Sequence, residues 1–171
     1  MTLIETTIAL GILLTVEAGV MSIGTVAILT TENQGHLSAR TTEYAQDKLE
    51  QLIALVYNDG GGSPCSLTGG TNTTVFPTTF PGGTGLCPAG SSNPDAPATG
   101  YVDYLCADGN PVGVGGCIQA NYYFIRVWEI STAGLTANLK RITVTAQVRY
   151  AVGARGAKPR STVTILKSNP F

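Results

Sequence analysis

The chain has 171 residues, enough for one globular domain with an appendage. Charged residues make up 12% of it, well below the roughly 25% of ordinary soluble domains, and its 21 glycines and 9 prolines imply much loop. A net charge of −1 excludes a general electrostatic pull toward nucleic acid, and one histidine with four scattered cysteines leaves little for a catalytic or metal centre.

Residues 1–31, MTLIETTIALGILLTVEAGVMSIGTVAILTT, are almost continuously apolar or small. They carry Glu5 and Glu17 and no Lys or Arg. The run exceeds the roughly 20 residues that a helix needs to cross a bilayer. A secretory signal peptide would have a basic start and a shorter apolar core, so the segment reads as an N-terminus left after removal of a basic leader. Gly11, Gly19 and Gly24 interrupt it, each costing a helix about 1 kcal/mol relative to Ala. They imply either close packing of neighbouring helices or a stretch able to unwind, with ordinary small-residue packing as the plain alternative.

Residues 32–57 are polar but periodic. Leu37, Tyr44, Ala45, Leu49, Leu52, Ile53 and Val56 fall at i, i+3, i+4 spacing and form one apolar stripe. The first proline is Pro64, and Asn58-Asp59-Gly60 is a stop signal. One helix from about Thr2 to Val56 follows, about 80 Å long at 1.5 Å per residue. Its first half must protrude and find apolar surroundings elsewhere. The domain division is therefore 1–31, a protruding apolar helix, and 32–171, a globular head.

Residues 58–120 have the composition of loop, as in GGTNTTVFPTTFPGGTG. Such a segment orders itself poorly, and Cys65, Cys87, Cys106 and Cys117 supply a constraint as two disulfides formed in an oxidising compartment. Three connectivities are possible. The Asp-Gly-Asn-Pro turn between Cys106 and Cys117 favours that pair, which leaves Cys65–Cys87. Asn72-Thr73-Thr74 is a sequon, so Asn72 is a candidate glycosylation site.

Residues 121–168 read as an antiparallel sheet of three runs, 121–131, 139–152 and 161–168. In the second, Ile142, Val144, Ala146, Val148 and Tyr150 alternate with Arg141, Thr143, Thr145, Gln147 and Arg149. The apolar face would take the Leu49–Val56 stripe, and the fold class is α+β.

The opening Thr2-Leu3-Ile4-Glu5, together with the apolar run to Leu29, resembles the start of a type IV pilin after leader removal. The resemblance covers about the first 55 residues in sequence and the rest in architecture only. It implies the pilin fold, a long N-terminal helix on a small antiparallel sheet. It implies a subunit held in the bacterial inner membrane, processed and N-methylated at Met1 by a prepilin peptidase, then polymerised by an assembly platform and a cytoplasmic ATPase into an extracellular fibre. Helices would form the fibre core, with Glu5 meeting the Met1 amine of a neighbouring copy. A carboxylate in apolar surroundings costs several kcal/mol unless paired, so that pairing fixes axial register. The bland role of Glu5, favouring its own helix N-terminus, contributes under about 1 kcal/mol. Glu17 has no family role; it would bond Thr or Ser of an adjacent helix or sit protonated. Ser22 stands where these helices often have proline, which leaves Gly19 and Gly24 as the melting candidates.

The same N-terminal device serves minor pilins and secretion pseudopilins. The latter often hold calcium, but Asp95, Asp103 and Asp108 match no calcium-loop spacing and read as turn aspartates. No metal or cofactor is expected, nor an enzyme: no nucleophile elbow, phosphate loop or paired catalytic carboxylates occur. Residues 1–43 contain no aromatic residue, which disfavours conduction through a helical core. Lys140, Arg141, Arg149, Arg155, Lys158, Arg160 and Lys167 make the last third basic. A DNA-binding competence pilin would use them on phosphates; the favoured alternative sets them against Glu43, Asp47, Glu50 or Asp59 of a neighbour.

Overall fold

A computed structural model describes residues 2–55, 57, 86–113, 116–133, 138–151 and 156–169. One helix, α1 (Leu3–Ala54), leads the chain. Five strands follow: β1 (Ala89–Gly90), β2 (Val102–Leu105), β3 (Phe124–Thr132), β4 (Leu139–Val148) and β5 (Arg160–Ser168). The class is α+β, as expected.

The helix starts and stops within two residues of the expected limits. Thr2 and Leu55 flank it in extended conformation. The stop signal Asn58-Asp59-Gly60 lies outside the described residues, as do Met1 and Val56.

All strand pairs are antiparallel. β3, β4 and β5 form a meander, with β3 paired to β4 from Phe124↔Val148 to Thr132↔Lys140. β1 and β2 both pair with the other edge of β3. These two strands lie within the stretch read as loop. They are short, at 2 and 4 residues, and β1 is an Ala-Gly pair, so neither leaves a periodic signal. Gly90 takes φ +104°, and a Cβ there would lie 2.8 Å from the Tyr101 ring, so glycine is required where β1 crosses that ring.

The second half of α1 lies on the sheet. Tyr44, Ala45, Leu49 and Leu52 are buried against Phe124, Trp128, Ile130, Ile142, Val144, Ala146 and Val148. The inward residues read in β4 are buried from Ile142 through Val148. Tyr150 departs from this: it lies past the strand end and is 54% exposed. Thr145 and Gln147, expected to face solvent, are also buried, because β4 is an interior strand; Thr145 bonds Thr162 across to β5 at 2.9 Å. In the stripe, Leu37 is only partly buried and Ile53 is 37% exposed, while Thr41 and Lys48 join the buried face.

Cys106 and Cys117 form a disulfide with a Cα separation of 5.8 Å. It closes the turn in which Asp108 accepts hydrogen bonds from the backbone and side-chain nitrogens of Asn110. Cys87 is disulfide-bonded as well; Cys65 and Asn72 lie outside the described residues.

Candidate functional site: an exposed apolar helix on a charge-locked head

Every described side chain from Thr2 to Leu29 is exposed. Leu3, Ile4, Val20, Met21, Ile23 and Ile28 each expose two thirds or more of their surface. The helix is long and apolar enough to cross a membrane by length and composition. It runs unbroken through Gly11, Gly19 and Gly24, where an added Cβ would meet nothing within 4 Å. The three positions are thus open to a neighbour.

Six hydroxyl groups of this half are satisfied by the helix itself. Thr6, Thr7, Thr15, Thr25, Thr30 and Thr31 each donate to a carbonyl three or four residues back, at 2.8–3.2 Å. A threonine bonded in this way enters an apolar environment at little cost. The carboxylates of Glu5 and Glu17 remain, and neither has a hydrogen-bond or ion-pair partner among the described residues. Glu5 sits in the first turn, where the helix dipole favours an acid.

The head grips the other half of α1 through buried charge. Lys48 in α1 lies 3.0 Å from Asp103 in β2, and Arg126 in β3 holds both oxygens of Asp103 at 2.8 and 2.9 Å. Arg126 also reaches Asp47 of α1 at 2.8 Å. The Lys48 ammonium lies 4.3 Å from the Trp128 ring centroid. Burial pushes the Asp103 carboxyl up, but the charges and hydrogen bonds of Arg126 and Lys48 more than reverse it and hold it at about 2. A second tie closes the C-terminal end of α1, whose last turn has no basic residue of its own. Lys167 of β5 donates to the carbonyls of Ile53 and Leu55, and Lys140 of β4 to those of Tyr57 and Leu86.

These contacts revise several expectations. Asp103 is an ion-pair partner rather than a turn aspartate, and it is not brought together with Asp95 and Asp108; among the described residues no metal-holding group of three or more ligands occurs. Of the basic residues in the last third, Lys167 serves the helix end and Lys140 ties Tyr57, just past it, to Leu86. Arg149 donates to the carbonyl of Ala120 and stacks between Tyr122 and Tyr150, and Lys158 lies 3.7 Å from Asp95. Arg141 and Arg160 are exposed, and Arg155 lies outside the described residues. Two of the acids named as a neighbour's targets have partners within the chain: Asp47 with Arg126 and Glu43 with Arg40. Asp59, a third, lies outside the described residues. Sequence reasoning missed Lys48 and Arg126. Lys48 did fall at helical spacing on the apolar stripe, a position a solvated lysine avoids.

The fold and site define a two-part chain: an α+β head with a disulfide, carried on a bare apolar helix. Comparison with protein-family models, with curated proteins and with solved structures finds no match.

Proposed function

We propose that this chain is the structural subunit of a type IV pilus. Its apolar helix anchors it in the inner membrane before assembly and packs into the fibre core afterwards, and the disulfide-stapled head forms the outer shell on the cell surface. Glu5 of one copy pairs with the N-terminal amine at Met1 of the next.

The observation that carries this reading is the exposure of the whole of residues 2–29 in a helix that extends beyond its own head. That much apolar surface requires lipid or other helices around it. In a lipid anchor alone the acid at position 5 gains only the helix dipole, under about 1 kcal/mol, whereas a polymer of parallel copies gives it a counter-charge. Each copy supplies one amine and one carboxylate, and a copy out of register leaves both unpaired, at a cost of about 3–5 kcal/mol per pair. The chain needs no nucleotide site of its own, because the assembly machinery supplies the work.

The test is Glu5→Ala. Membrane insertion should be unchanged, because a polar group leaves the apolar helix, and the yield of sheared fibres should fall at least tenfold. Fibres at normal yield would overturn the register role.

A further inference from the structure

Glu17 raises the question that Glu5 raises, and the pairing with Met1 does not answer it. It is the remaining charge in residues 6–31, with apolar neighbours on every side. Buried in a bundle of copies, it needs a donor. The nearby threonines are poor donors, since Thr15 and Thr25 already spend their hydroxyl protons on their own helix, and a single neutral hydroxyl, that of Ser22, would satisfy a carboxylate without balancing its charge.

The cations of α1 are Arg40 and Lys48. Lys48 is buried and held on Asp103. Arg40 stands at the neck, where the helix enters the head, with its side chain 47% exposed and, among the described residues, a single exposed contact, to Glu43 at 3.2 Å. A pair of that kind is weak and readily exchanged. Arg40 also lines a groove of about 440 Å³ with Asn33, His36 and Leu37 of α1 and Ala107, Tyr123 and Phe124 of the head. The groove is mixed: an apolar floor from Leu37 and the two rings, and a polar rim from Asn33, His36 and Arg40.

We infer that the neck groove receives the helix of a second copy, with Glu17 of that copy paired to Arg40 and His36. The inference rests on the polymer reading and deepens it. Charge complementarity selects the occupant, because Glu17 is the one acid of the apolar half left without a partner once Glu5 meets Met1. Helical rise gives the geometry: positions 17 and 36–40 are roughly 30 Å apart along α1. Parallel copies displaced by that distance bring Glu17 against the groove. The Glu5–Met1 contact spans only about 6 Å of rise, so a different neighbour makes it. The two acids thus tie each subunit to two partners at two axial distances.

The test uses fibres of the full chain carrying Arg40→Lys, which keeps the charge and adds an amine. Zero-length carbodiimide coupling, followed by digestion and mass spectrometry, should give a peptide joining Glu17 to the introduced amine of another copy. Intact fibres in which that amine couples only to Glu43 overturn the groove and leave the polymer reading standing. A wild-type chain that forms no fibres overturns both. Charge reversal gives an independent readout: Glu17→Arg should cut fibre yield at least tenfold, and adding Arg40→Glu should restore most of it. Glu17→Arg fibres at wild-type yield contradict the pairing.

Discussion

The two halves of α1 are one continuous helix with opposite fates. Residues 41–54 place Thr41, Tyr44, Ala45, Lys48, Leu49 and Leu52 under a sheet of the same chain. Residues 2–29 bury nothing. The halves differ in pattern before they differ in burial: the second is apolar on one side, the first on every side. A one-sided stripe is satisfied by one sheet, whereas an all-round apolar surface needs a surrounding phase. The halves also treat charge differently. The second keeps its buried lysine by pairing it within the chain; the first carries two carboxylates that have no partner among the described residues.

Breaking the internal pairing gives the largest expected effect. Asp103→Ala leaves Lys48 and Arg126 buried without their shared carboxylate, and should destabilise the head by about 3–5 kcal/mol. Thermal unfolding of the full chain in detergent micelles measures it; a loss below about 1 kcal/mol would mean that the cluster is dispensable. Leu52→Ala, at a fully buried site under the sheet, should cost about 2–5 kcal/mol. Leu13→Ala, at a position 56% exposed, should leave that same transition unchanged, so equal losses from the two would erase the distinction between the halves. Cys106→Ser opens the loop to Cys117 and should cost about 3 kcal/mol, seen as faster proteolysis of the head; unchanged resistance contradicts the role of the staple.

The smallest expected effect is a pH dependence confined to the head. The Asp103 carboxyl titrates at about 2 in the fold against 3.8 in the open chain. Its contribution is therefore complete above the open-chain value and lost as pH falls from there through about 2. Acid titration of unfolding should show this slope in wild type and a shallower one in Asp103→Asn.

The sequence disclosed the elements whose physics is periodic. The helix, the meander and the inward residues of β4 all follow from spacing, and the Cys106–Cys117 staple from the tight turn between the two cysteines. β1 and β2 were hidden because strands of 2 and 4 residues have no period to read. The charged lock was hidden for another reason. Lys48, Asp103 and Arg126 lie far apart in the chain and meet only when β2 and β3 pair beneath the helix. Tyr150 was misplaced because the alternation outlasts the strand that gives it meaning.

What the first half of α1 packs against separates a fibre subunit from a plain membrane anchor. Negative-stain microscopy of material sheared from producing cells, with mass spectrometry of its dominant band, tests that. Thin fibres built of this chain and beginning at an N-methylated Met1 are the expected result. Fibres built of another subunit, with this chain found only in trace amounts or in the membrane fraction, would contradict it.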